Sequence, residues 1–165
     1  MIKTVVIPIA GLGTRWHPLT KVVSKELLPL VDKPVIEYVV NEALAAGIEN
    51  FIFVTHPRKA NIDNYIVSMG LKNVMFVTQA QPNGLGDAIM TARRHTDDQP
   101  FAVMLPDEVC LDSKPALSEA IKSFNERSKS TVVVTEVDPK VITSYGVVSN
   151  LGFVNRKKKK PTIIK

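Results

Sequence analysis

Apolar positions along the chain fall into two alternating rhythms. Residues 4–7 (Thr-Val-Val-Ile), 51–54 and 74–77 are short β-branched or aromatic runs with the density of buried strands. Between them the period changes. After Pro34, the apolar residues Val35, Ile36, Val39, Val40, Ala43 and Leu44 recur at helical spacing, while Glu37, Asn41 and Glu42 fall mostly elsewhere, and Gly47 closes the helix. Residues 58–69 predict a second, weaker helix with Ile62, Tyr65, Ile66 and Met69 on one face. Residues 85–94 have helix-forming composition, and 101–105 predict a fourth strand. Ser113 and Pro115 open another helix, in which Leu117, Ala120, Ile121 and Phe124 share a face. Residues 131–137 predict a further strand, and 145–148 begin one more. Strands alternating with helices imply βαβ units. The expected fold is α/β, a Rossmann-like, mostly parallel sheet with helices on both faces.

Composition adds limits. A chain of 165 residues with 45% hydrophobic content can bury the core of one domain. No apolar run approaches the ~20 residues of a membrane span, so no membrane association is expected. The single cysteine, Cys110, has no internal partner for a disulfide, which favours a cytoplasmic location. The net charge of +5 is uneven: residues 151–165 carry Arg156, Lys157, Lys158, Lys159, Lys160 and Lys165 with no acid. Removing this tail leaves a body of about −1, so no nucleic-acid partner is expected. The division is a domain over 1–150 and a solvated, disordered basic tail over 151–165.

The chemistry gathers where predicted strands end. Ala10-Gly11-Leu12-Gly13-Thr14-Arg15 follows the first strand, and its glycines allow a tight turn with bare backbone N–H groups. Arg15, Lys21 and Lys25 supply cations for a polyphosphate. Trp16 occupies the place of the third glycine of a dinucleotide-binding fingerprint, and no Walker A pattern occurs. A second glycine turn, residues 79–88, follows the third strand, and Asp107 follows the fourth. Strand ends are where ligands collect in such sheets, so the three stretches predict one composite site. Singly, each has a bland alternative: surface lysines, a capping aspartate, a loop glutamine. His17, His56 and His95 lack metal-ligand spacing, Glu108 and Asp112 are turn acids that hint at more, and Trp16 is expected to pack the loop against the core.

Taken together, G-x-G-T-R-x-x-P-x-T over 11–20, Lys25-Glu26-Leu27-Leu28-Pro29 and Lys33-Pro34 resemble the signature of the sugar nucleotidyltransferases. The variant is most similar to the bacterial UTP–glucose-1-phosphate uridylyltransferases, over roughly the first 150 residues. The resemblance implies uridylyl transfer from UTP to glucose 1-phosphate, giving UDP-glucose and pyrophosphate, with Mg²⁺ as cofactor. It implies that Ala10 and Gly11 contact the nucleoside, and that Gly13, Thr14 and Arg15 hold the triphosphate. Lys25 would touch phosphate and act with Arg15 in catalysis, and Glu26 would meet the uridine. Gln79 with Gly84 and Gly86 would read the base, Asp107 would hold the metal, and Gly146 would lie near the sugar. The same chemistry with dTTP or another sugar, and a non-catalytic nucleotide-binding fragment or regulatory subunit, are the alternatives. A homo-oligomer is left open.

The chain departs from the family pattern in its last part. The expected E-K-P segment and second metal aspartate are not found, and Lys159-Lys160-Pro161 is a poor echo of the former. The resemblance therefore implies a shortened C-terminal half, with a frameshift in an adenine-rich stretch as one source of the lysine run. UTP binding would persist while turnover is lost or nearly so.

Overall fold

The structure is a computed structural model that describes residues 2–81, 83–110, 115–135, 137–144, 146–148 and 162–164. The first strand, β1 (Thr4–Pro8), runs into the glycine loop, which winds through three short 3-10 turns at Thr14–Trp16, Leu19–Lys21 and Lys25–Leu27. A two-residue hairpin, β2 (Pro29–Leu30) with β3 (Lys33–Pro34), leads to helix α1 (Val35–Ala45). Then come β4 (Asn50–Thr55), α2 (Ala60–Ser68), β5 (Asn73–Thr78), α3 (Leu85–Arg93), β6 (Ala102–Val103) and α4 (Ala116–Arg127).

Strands β5, β4, β1 and β6 lie side by side in that order, every pairing parallel. The chain builds outward from β1 through β4 to β5, then returns across the sheet to place β6 on the other side of β1. That reversal puts the returning helix on the opposite face. Val5, Ile7, Phe51 and Phe53 point to one side, where they meet Ile36, Val39, Val40 and Ala43 of α1, Ile62 and Ile66 of α2, and Leu117 and Ile121 of α4. Val6, Ile52, Val54 and Val77 point to the other side, against Ala88 and Ala92 of α3. Strands buried on both faces have no polar alternation, which is why β1 and β4 read as continuous apolar runs. Helices on both faces are as expected, but unevenly: among the described residues three cover one side, while the other is met by the alanines of α3 and by Phe101.

Two expectations need correction. Among the described residues of 131–137 no strand joins the four-stranded sheet: Val132, Val133 and Val134 are 48%, 51% and 37% exposed, and Thr135 alone of them makes a bridge. β-propensity reports fitness for a pleated, half-buried surface, and a run this exposed has no such surface to fit. Trp16 does not pack the loop onto the core either; it is 59% exposed, because the 3-10 turn carrying it lies over the loop and buries none of its residues. The short strand β6 keeps two residues of the predicted five. The expected tail falls almost wholly outside the described residues, as do Asp112 and Ser113. Only Thr162–Ile164 (β8) is described there, pairing antiparallel with Gly146–Val148 (β7).

Candidate functional site

The reversal between β1 and β6 opens a crevice at the carboxyl ends of the strands, the usual ligand position of such sheets. A cleft of about 260 Å³ lies there. Ala10 and Gly11 from the β1 loop, Lys25 and Glu26 from the third 3-10 turn, Gln79 and Gly84 ahead of α3, and Asp107 after β6 all line it. Ala10 and Asp107 stand 97 residues apart in sequence, and the parallel order β5-β4-β1-β6 brings the loops that carry these residues to one end of the sheet.

Beneath the cleft sits a buried ion pair. The Lys59 Nζ donates to Glu26 Oε2 at 2.6 Å, and also to the carbonyls of Ile9 at 2.7 Å and Gly11 at 2.8 Å. The two side chains are 6% and 1% exposed. Burial lowers the Lys59 pKa from its ordinary value, while the neighbouring Glu26 carboxylate pulls it back up. By holding two carbonyls of the β1 loop, Lys59 fixes that stretch of backbone from below. Glu26 Oε1 is buried and makes no hydrogen bond among the described residues, an acceptor at the cleft wall that lacks a donor.

At the cleft rim, Lys25 Nζ donates to Asp107 Oδ2 at 2.6 Å, joining the β1 loop to the end of β6. Asp107 is 58% exposed there. No cluster of three or more metal-binding side chains occurs among the described residues, so a metal held here would take few ligands from them. That suits a small, hard cation that keeps most of its shell for water and ligand oxygens.

Gly13 takes a left-handed conformation, φ 62°, and a Cβ on it would lie 3.0 Å from Thr20 Cγ2. Thr20 Oγ1 donates to the Gly13 carbonyl at 2.8 Å. The loop is further tied to α2 through Ser24 Oγ, which bonds Asn61 Oδ1 at 2.8 Å. Thr14 is not among the residues lining the cleft and lines a second cavity with Lys21 and Lys59. Arg15 is exposed on the same turn. Gly86 lies within α3 beyond the cleft wall, and Gly146 opens β7 and is not among the lining residues.

Sequence reasoning missed two residues, Lys59 and Asp87. The signal for Lys59 was present: residues 56–59 follow β4 at the same sheet edge where the other chemical stretches follow β1, β5 and β6. Asp87 carries no motif, and its importance shows only in its contact with Gln79 Nε2 at 2.6 Å. No helix is long and apolar enough to cross a membrane among the described residues.

Comparison with known proteins agrees with this arrangement. The pattern of the nucleotidyl transferase family matches residues 4–161. A UTP–glucose-1-phosphate uridylyltransferase of Staphylococcus saprophyticus is 38% identical over 179 residues, covering 94% of this chain and 62% of the relative. A UDP-glucose pyrophosphorylase from Acinetobacter baumannii superposes on the whole chain with a TM-score of 0.84 at 34% identity, covering 68% of that protein. A UTP-bound UGPase from Acinetobacter baumannii matches 89% of this chain and 61% of its own length, with a TM-score of 0.81 at 36% identity. The chain spans about three fifths of the length of the curated relatives it matches. With a sheet order, a glycine loop and a strand-end cleft of this kind, and with the family pattern running along nearly its whole length, the chain belongs to the nucleotidyl transferase family.

Proposed function

We propose that the cleft binds UTP and serves the transfer of its uridylyl group to glucose 1-phosphate, giving UDP-glucose and pyrophosphate. The observation that carries this reading is the meeting of Lys25, Glu26, Gln79 and Asp107 in one cleft at the sheet reversal. In this reaction a phosphate oxygen of glucose 1-phosphate attacks the α-phosphorus of UTP, and the bond from that phosphorus to the β-phosphate's bridging oxygen breaks. No protein nucleophile is needed. The protein has to align anionic groups and neutralise charge as it develops.

Each residue then has a task. The backbone of Ala10 and Gly11 faces the nucleoside, with Gln79 and the Gly84–Gly86 turn at the base. Glu26 supplies an acceptor to the uridine, which gives its orphaned Oε1 a partner. Gly13, Thr14 and Arg15 close on the β- and γ-phosphates, reaching over the rim from their turn. Lys25 leaves Asp107 for the α-phosphate. Asp107 would hold Mg²⁺ together with phosphate oxygens, and the bound ion would neutralise phosphate charge. Gly146 is assigned to the sugar side.

Nucleotide-dependent melting of the 165-residue chain tests the reading. UTP should raise the melting temperature more than ATP at equal concentration. Equal shifts would remove the uridine assignment. Pyrophosphate release from UTP and glucose 1-phosphate then separates two outcomes: turnover places the whole reaction on these residues, and binding without release restricts them to its nucleotide half.

A further inference from the structure

Gln79 enters the cleft with one end already committed. Its backbone N–H donates to the Thr55 carbonyl at 2.9 Å, which anchors it to the end of β4. Its side-chain Nε2 donates to Asp87 Oδ2 at 2.6 Å and to the Gly84 carbonyl at 3.2 Å. A primary amide has two N–H donors, and both are used. Oε1 makes no hydrogen bond among the described residues, while the residue lines the cleft. An ionised carboxylate only accepts, so with Asp87 behind it the amide nitrogen must turn toward α3 and the oxygen toward the ligand.

We propose that Asp87, which does not itself line the cleft, is a positioning residue that makes Gln79 an acceptor-only reader of the base and so sets the preference for a nucleobase with an N3–H donor. This rests on the reading of the cleft as a nucleoside site. Uracil and thymine present N3–H and can donate to Oε1. Cytosine presents a bare N3 at that position, and two acceptors would face each other. A free glutamine would escape by flipping its amide and donating to the cytosine N3. Asp87 removes that escape, because the flipped amide would put Oε1 against the carboxylate and leave a part-buried acceptor pair unsatisfied. The device rejects cytosine without excluding thymine, so dTTP should follow UTP.

The alternative role for Asp87 is that of an acid in the first turn of α3, stabilising the helix through its dipole. Such a role would shift melting but not base choice. Calorimetric titration of the chain with UTP, CTP and dTTP separates the two. The wild-type chain should favour UTP over CTP by roughly 10- to 100-fold. Asp87→Asn keeps the shape but presents either a donor or an acceptor, so Gln79 divides between both orientations. UTP and dTTP binding should then weaken by only about 2-fold, as half the molecules remain competent, while CTP binding tightens. Asp87→Ala should move CTP in the same direction and stands in if the asparagine variant fails to fold. Equal weakening of all three nucleotides, or an unchanged CTP affinity, would overturn the proposal while leaving the uridine reading intact. A wild-type chain indifferent between UTP and CTP would overturn both.

Discussion

Two lysine–carboxylate pairs, each at 2.6 Å, do different things because their surroundings differ. Lys59 and Glu26 are almost wholly buried, where breaking a pair strands the remaining charge. Lys59→Met should therefore cost about 3–5 kcal/mol of stability, read from urea denaturation. Replacing both partners, Lys59→Met with Glu26→Leu, should recover most of that loss, since no charge is left behind. If the double variant is as unstable as the single one, the carbonyls of Ile9 and Gly11 depend on Lys59 more than Glu26 does. The rim pair is another matter. With Asp107 more than half exposed, its bond to Lys25 is worth about 0–1 kcal/mol, and a phosphate can displace it. One pair builds the site and the other is available to use it.

The β1 loop shows how far an element depends on a single backbone position. Gly13 combines a positive φ with a Cβ direction blocked by Thr20, so both the backbone and the space require glycine. Gly13→Ala should lower stability by about 1–2 kcal/mol through the left-handed strain, and more where Thr20 fails to yield. Gly13→Ala with Thr20→Ser, which removes the obstructing methyl but keeps the hydroxyl, should recover the steric part alone; full recovery would mean that the φ carries no strain. This need for glycine was legible in the sequence, as were β1 and β4, whose apolar runs are the direct consequence of burial on both faces. The helical period of α1 was legible for the same reason: one face meets the sheet. What was not legible depends on partners distant in sequence. Residues 131–137 have strand composition, yet composition cannot supply a neighbouring strand. Trp16 was expected inside because it is large and aromatic, while the turn that carries it buries none of its own residues. Lys59 belongs to no motif, and its role shows only where it meets the 3-10 turn at Lys25–Leu27 through Glu26. Asp87 acquires meaning only through Gln79.

At the scale of the molecule, the reversal of strand order is what makes a site from these parts. Lys25 and Asp107 stand 82 residues apart, and they meet because β6 returns to the flank of β1 that β4 leaves free. The cleft consequently has a cation and a carboxylate in direct competition for whatever enters. A triphosphate without metal gains Lys25 only by displacing Asp107, and then lies beside a bare negative charge. On the proposed reading the same carboxylate would become useful with Mg²⁺, since it would hold the ion together with phosphate oxygens. Asp107→Asn should thus act in opposite directions under the two conditions. Without magnesium, UTP should bind somewhat more tightly than to the wild-type chain, by at most about 5-fold, because an exposed ion pair is worth no more than about 1 kcal/mol. With magnesium, the strengthening expected of the wild-type chain should largely disappear, while the melting temperature of the free chain changes little. Titration calorimetry with UTP, with and without Mg²⁺, measures both arms. An asparagine variant that keeps the full magnesium dependence would move the ion to a different group, and the junction of β1 and β6 would then serve the phosphates through Lys25 alone.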